Sequence, residues 1–302
     1  MTLEQLRIFV MVAEREHVTA AALALNLSQS AVSNALSSLE GRHGVRLFDR
    51  IGRGVRLNEA GRAFLPEAWA VLARADGAQA VLADLTQLNR GRLLIFASQT
   101  IASYWLPGRL VAFHTLHPGI ELSVSIGNTH EAMQAVRDGA AELGFVEGEV
   151  DEPTLSLEVV GYDQLVVLVR PDHPWARRAQ IGPQDILATP WVLREQGSGT
   201  RSSLEDALTN LDVAPGRLQV VMTLPSNDAV LAAAEAGAGA AALSTSVAAA
   251  SLAAGRLVRA PLDLPPRPFR IIRHKARHRT RAADAFVAEA VHGLAPPPGG
   301  GG

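Results

Sequence analysis

The sequence predicts two domains of different class: a small all-α N-terminal domain of winged helix-turn-helix type, and a larger C-terminal α/β module reached through one long linker helix. Three observations predict this. Apolar residues recur at helical spacing through most of residues 3–42. An unbroken helical pattern then runs from Glu59 to about Leu88, and beyond Gly91 strand-like and helix-like segments alternate. The 302 residues suffice for two domains. An apolar fraction of 48% against 19% charged residues belongs to globular material rather than disorder. There is no cysteine, which excludes disulfides, thiolate zinc sites and cysteine nucleophiles together. The first ten residues carry no secretory pattern, and the Ala-rich 229–254 stretch is interrupted by Glu235, Gly237 and Gly239, so a soluble, cytoplasmic protein without membrane partners is expected.

In the first domain, Leu3, Leu6, Phe9, Val10 and Ala13 mark one helix, and a short second helix covers about Val18–Leu25. Ser28 is a natural N-cap for a third helix from Gln29 to about Arg42, with Gly44 as its stop. Val32, Leu36 and Leu39 form its apolar stripe, leaving Gln29, Ser30, Ser33, Asn34 and Ser37 on the other face. Residues 45–48 and 54–57 read as two short strands around a basic hairpin. In the long helix, Leu65, Ala68, Leu72, Ala75, Gln79 and Leu82 recur in steps of three and four, a coiled-coil seam with nothing local to bury it, which predicts a homodimer.

A short helix, a tight turn and a polar-faced helix suit entry into the major groove of double-stranded promoter DNA. Gln29 and Asn34 can each make paired hydrogen bonds to adenine, and Ser28, Ser30 and Ser33 can serve donor or acceptor edges, with Thr19 on the preceding helix beside them. Arg50, Arg53 and Arg56 on the hairpin can grip phosphates or enter the minor groove. Residues 1–65 hold eight arginines against six acids, and four of the arginines lie between positions 46 and 56. The overall net charge of −2 carries no argument, because location decides.

Residues 3–61 resemble the DNA-binding domain of LysR-type regulators. The resemblance is carried by Leu6-Arg7-Ile8-Phe9, Ala21-Ala22, Leu27-Ser28-Gln29-Ser30-Ala31-Val32-Ser33, Leu39-Glu40, Gly44–Arg50 and Leu57–Gly61, in order and without a gap. His17, Val18, Ser30 and Asn34 depart from the usual choices of Ser, Phe, Pro and Arg. The remaining two-thirds resembles the effector-binding part of the same family, which implies a periplasmic-binding-protein-like module of two subdomains. That resemblance implies a DNA-binding domain over 1–58, a dimerisation helix over 59–90 and an effector domain over 91–294. It further implies one lobe from 91–161 plus 268–294 and a second from 162–267, with crossings near Gly161 and Pro265-Pro266-Arg267-Pro268. A homotetramer, and RNA polymerase as a further candidate partner, follow from the same resemblance. Within the family, the stretches 98–104 and 194–201 look most like regulators of sulfite reduction and carbon fixation genes. The tail 295–302 is expected to be disordered.

Strand-to-helix junctions in the module carry small polar residues: Ser98-Gln99-Thr100, Asn128-Thr129, Ser198-Gly199-Thr200-Arg201 and Ser226-Asn227. Each is an ordinary helix start by itself. Converging in a cleft between lobes, their N–H groups and hydroxyls would hold a small anion, a carboxylate metabolite or an inorganic oxyanion, with Arg201 supplying charge.

Other features weigh less. Gly197-Ser198-Gly199 lacks the spacing of a serine nucleophile and a nearby His–acid pair, so no enzyme is expected. His114 with His117 and His274 with His278 have no cysteine or acidic companion for a metal, and no cofactor is expected. The basic run from Arg270 to Arg281 reads as the solvated edge of a last strand. The competing readings are a constitutive DNA-binding repressor or architectural protein whose C-terminal half only oligomerises, and an enzyme with an accessory helix-turn-helix.

Overall fold

The computed structural model describes residues 1–52, 54–84 and 91–291. Contacts divide the chain into two compact units, the first ending with the long helix.

The first unit opens with α1 (Leu3–Arg15), started by a reciprocal capping box. Thr2 Oγ1 accepts from the Gln5 amide at 3.2 Å, and Gln5 Oε1 accepts from the Thr2 amide at 3.0 Å. His17, an unusual cap, receives the Ala20 amide on Nδ1 at 3.4 Å and starts α2 (Val18–Ala24). Ser28 caps α3 (Gln29–His43) through the Ala31 amide at 3.1 Å, and Gly44 ends it at φ +66°. Leu6, Phe9, Val12, Ala21, Ala22, Val32, Leu36 and Leu39 bury one shared core from all three helices.

Strands β1 (Phe48–Ile51) and β2 (Gly54–Leu57) pair antiparallel from Phe48↔Leu57 to Ile51↔Gly54. The first strand therefore starts about three residues later than expected. Residues 45–47 are committed elsewhere: the Leu47 amide donates to Glu40 Oε1 at 2.7 Å, and its carbonyl accepts from the Asn58 amide at 3.1 Å. Asn58 then caps α4 (Glu59–Asp84) through the Gly61 amide at 2.9 Å.

Helix α4 corrects the expected seam. Ala68 and Leu72 are buried in the core of the first unit, with Phe64, Leu65 and Trp69 packed against it. This half of the stripe is covered by its own domain and not by a partner. The side chains of Gln79 and Leu82, residues 85–90, Arg53 and the tail 295–302 lie outside the described residues.

The second unit is built on a six-stranded sheet of order β4-β3-β5-β10-β6-β9. Strand β3 (Gly91–Ser98) runs through a π turn at Ile101–Trp105 into α5 (Leu106–Leu116), then to β4 (Ile120–Gly127), α6 (Thr129–Asp138) and β5 (Leu143–Glu147). Strands β3, β4 and β5 are parallel, and β5 is buried along its whole length, as a central strand covered on both faces should be.

The chain then makes β6 (Leu155–Val169), α7 (Pro183–Ala188), β7 (Pro190–Arg194), α8 (Gly199–Thr209), β8 (Gln219–Leu224), α9 (Asn227–Glu235), β9 (Ala241–Ser244) and α10 (Thr245–Ala253). It returns along β10 (Val258–His274) and ends in α11 (Arg281–Val291). Helix α11 seals the first lobe, setting Phe286 edge-on against Phe113 and Phe145 at 5.1 and 5.9 Å.

The passages between lobes are not loops. β6 and β10 form one antiparallel ribbon from Val258↔Val169 to His274↔Leu155, and it belongs to both lobes. Pro265, Pro266 and Pro268 sit inside a strand. They are tolerated because the register shifts beside them, between Asp263 and Pro266 and between Phe269 and Arg270. Among the described residues no helix is long and apolar enough to cross a membrane.

Gly61 gives a direct check of the first unit. A Cβ there would fall 2.1 Å from the Leu47 carbonyl oxygen, a backbone atom that cannot swing aside. Gly61→Ala should cost about 1–3 kcal/mol, read as a lower urea midpoint for the first unit at unchanged slope.

Candidate functional site

Two surfaces collect the polar residues singled out in the sequence. The first is the exposed face of α3. Ser28, Gln29, Ser30 and Asn34 are exposed there, Ser33 is half-buried, and Thr19 is exposed on α2. Ser28 is already engaged, as the α3 cap and through its hydroxyl contact with Ser30 at 3.0 Å, so its role is structural first. Arg50 lies within β1 and Arg56 within β2, both exposed. Arg56 stands 3.7 Å from Glu16, an exposed pair that leaves its charge available to another partner.

The second surface lies where the two lobes of the second unit meet, and its four junctions converge in two docks. At one, Gln99 Nε2 donates to the Pro225 carbonyl at 3.0 Å, and Gln99 Oε1 accepts from the Asn227 amide at 3.0 Å. Asn227 Nδ2 donates to Thr100 Oγ1 at 3.1 Å. At the other, the His130 amide donates to the Gly197 carbonyl at 3.1 Å, and Asn128 Nδ2 to Glu195 Oε1 at 3.3 Å. Gly199 is required by this closeness: a Cβ there would lie 2.0 Å from the Glu147 carbonyl oxygen and 2.6 Å from Thr129 Oγ1.

The junction residues separate into caps and others. Asn128 Oδ1 accepts from the Glu131 amide at 2.9 Å, and Ser226 Oγ from the Ala229 amide at 3.1 Å, so these two start α6 and α9. Ser98, Thr100, Thr200 and Asn227 are buried and instead bond to side chains distant in sequence. Thr129 donates to the Glu147 carbonyl at 2.8 Å, and Ser198 is buried at the α8 N-terminus.

The charge comes from residues that sequence reasoning missed. Arg267, only 4% exposed, lies opposite Asp163 in the β6–β10 ribbon and donates to it from Nε at 2.9 Å. Its Nη1 donates to Thr200 Oγ1 at 3.1 Å and stands 3.7 Å from Glu147 Oε1. Its Nη2 is 2.7 Å from Asp163 Oδ2 but without hydrogen-bonding geometry. Glu147, at the end of β5, accepts from the Ser98 hydroxyl, and Asp163 accepts from Ser244 Oγ at 2.6 Å. Arg194, equally buried, donates to Asn227 and makes paired 2.8 Å bonds to Glu195.

Arg201 does not take the role expected of it. Its guanidinium is spent on Glu205 at 2.7 Å and the Arg194 carbonyl at 3.2 Å, as an i,i+4 pair along α8 requires little strain to form. Among the described residues no three His, Asp or Glu side chains are arranged to hold a metal. His117 pairs with Glu289 at 3.0 Å, and in the basic run Arg273 meets Glu158 and Asp284 while Lys275 and Arg277 bond carbonyls.

Burial works against ionisation at Glu195, but the Arg194 hydrogen bonds, its backbone contact, the Arg194 charge and the Asn128 amide outweigh it and hold the carboxyl below the usual range. The stability this contributes is present above the unfolded-state value and lost as pH falls through the lower folded one. Glu195→Gln should therefore melt lower than the parent at neutral pH, by about 1–3 kcal/mol. The gap should close on acidification, which paired thermal melts across pH would record.

With this geometry in view, comparison with known proteins is decisive. Residues 3–62 match the family described as bacterial regulatory helix-turn-helix protein, lysR family, and residues 86–295 match the LysR substrate binding domain. The chain is 36% identical over 288 residues to the uncharacterized HTH-type transcriptional regulator YeiE of Escherichia coli K12, covering 95% of this chain and 96% of that protein. Full-length CbnR, solved in complex with its target DNA, superposes with a TM-score of 0.67 at 22% identity, over 96% of this chain and 99% of that one. The regulatory domain of CcmR from Synechocystis, solved in complex with 2-PG, superposes with a TM-score of 0.61 at 24% identity, over 68% of this chain and 100% of that one. The chain belongs to the LysR family: it is a DNA-binding transcription regulator with a helix-turn-helix domain and an effector-binding domain.

Proposed function

We propose that α3 reads promoter DNA through Gln29, Ser30, Ser33 and Asn34, and that a small anion bound between the lobes of the second unit alters that binding. The observation that carries the second half is that the junctions meet in pairs across the lobes, Thr100 with Asn227 and Thr129 with Gly199, and that the Arg267 guanidinium links Thr200 to Glu147, the carboxylate that holds Ser98. Helix N-termini and hydroxyls supply donors there, and Arg267 takes the role first assigned to Arg201. That the CcmR domain was solved with 2-PG supports a small-molecule ligand in this fold. A ligand can shift an equilibrium only if it favours one arrangement. Ser98–Thr100 and Ser198–Thr200 lie on different lobes, so an anion touching both rewards closure. Self-association is part of the same reading, as a homodimer and then a homotetramer. With Ala68 and Leu72 turned into their own domain, the dimer contact falls to other faces of α4, where Val71 is 40% exposed.

On the DNA side, Gln29→Ala or Ser33→Ala should relax preference at one base position, at a cost of about 1–3 kcal/mol. Arg50→Ala and Arg56→Ala should weaken all sequences alike and flatten the salt dependence by about one unit of slope. Binding-site selection with these variants decides between the roles; an unchanged sequence logo for Gln29→Ala and Ser33→Ala removes α3 as the reader. On the effector side, Thr100→Val and Thr200→Val should abolish the response to effector while leaving effector-free DNA affinity intact. A DNA-binding assay with and without an effector found by thermal-shift screening tests this. Parent-like responses in both would return these hydroxyls to a purely structural role.

A further inference from the structure

An anion entering between the lobes meets an unusual balance of charge. Two buried guanidiniums, Arg194 and Arg267, stand with three carboxylates, Glu147, Asp163 and Glu195. Two of the acids each hold a guanidinium at hydrogen-bond distance. Asp163 holds Arg267 at 2.7–2.9 Å and Ser244 at 2.6 Å, and Glu195 holds Arg194 through two bonds of 2.8 Å. Glu147 is different. One oxygen accepts from Ser98, while the other stands 3.7 Å from Arg267, beyond hydrogen-bond reach. A carboxylate accepts at about four lone-pair positions, so Glu147 keeps acceptor capacity in a site where its side chain is 3% exposed. On the same guanidinium, Nη2 is ion-paired to Asp163 at 2.7 Å but lies outside hydrogen-bonding geometry. A guanidinium with one arm outside hydrogen-bonding geometry and a carboxylate with acceptor capacity to spare thus stand 3.7 Å apart, beside Thr200 Oγ1 at the α8 N-terminus.

We propose that Glu147 selects the effector: the site takes a small anion that also carries its own N–H or O–H donor, and rejects anions that have none. This rests on the reading of the inter-lobe cluster as the effector site. The acceptor oxygens of such a ligand meet Arg267 and the α8 N-terminus, and its donor meets Glu147. An anion lacking a donor sets oxygen against oxygen at a buried carboxylate, and that repulsion is the discriminating element.

Sulfate and monohydrogen phosphate make a matched pair of probes, because they share tetrahedral shape and size but only the second keeps a proton at neutral pH. Titration calorimetry of the full-length chain in a buffer free of both anions should show phosphate favoured over sulfate by about a hundredfold. Glu147→Gln, whose amide can donate, should bind sulfate at least about tenfold tighter than the parent and lose the preference. Glu147→Ala removes the repulsion without adding a donor and should also admit sulfate, which covers the case of a glutamine variant that fails to fold. Equal affinity of the parent for the two anions, or no gain of sulfate binding in either variant, overturns the proposal. Adding Thr200→Val separates this failure from failure of the cleft itself. If Thr200→Val weakens phosphate while the Glu147 variants leave the ratio unchanged, the site stands and Glu147 is not its selector. If sulfate gained by Glu147→Gln is indifferent to Thr200→Val, the anion binds elsewhere and both readings fall.

Discussion

The second unit turns on Arg267 and its partners. A guanidinium almost wholly removed from water is tolerable only when its charge is balanced, and here Asp163 and Glu147, together with the Thr200 hydroxyl, come from three separate elements to hold it. Asp163 reaches it across the β6–β10 ribbon, Glu147 from the end of β5, and Thr200 from the first turn of α8. The requirement therefore fixes the ribbon, the first lobe and the second lobe against one another at a single point. Truncating any one partner leaves buried charge behind, so the cluster constrains the lobes more sharply than an apolar contact of equal size would.

Around that point the backbone has been pared to allow contact. Gly199 brings α8 against the Glu147 carbonyl, and Gly197, at φ +85°, would place a Cβ 2.9 Å from His130 Cβ. The hydroxyl-rich junctions are thus both helix starts and the mating surfaces of two lobes. Ser226 caps a helix, Asn128 both caps one and reaches across to Glu195, and Thr100, Thr200 and Asn227 bond outward.

Much of the first unit was legible because its signals are local. Ser28 and Gly44 bound α3 as caps, and the stripe of Val32, Leu36 and Leu39 marks its buried face. What misled was the stripe on α4: spacing alone cannot say whether Ala68 and Leu72 face a partner chain or their own domain. In the second unit the strands with dense Val, Leu and Ile were visible. The reach of β10 was not, because Pro265, Pro266 and Pro268 marked a crossing between lobes and only the register shifts make them admissible in a strand. Arg267 was hidden for the same reason. Residue types at the junctions pointed to the site, but Glu147 at a strand end and Asp163 opposite Arg267 acquire meaning only through pairing that is distant in sequence, and no local pattern announces it.

The ribbon also sets an order of assembly. β10 lies between β5 and β6 in the sheet, yet it is the last strand to be made. Until it emerges from the ribosome, the sheet exists as two unconnected pieces, β4-β3-β5 and β6-β9, each with an open edge. The core of the first unit draws on residues 6–72 and can be complete long before then, whereas the effector module must wait for nearly its entire length. A nascent chain of this protein therefore acquires its DNA-binding domain before it has anything to regulate it.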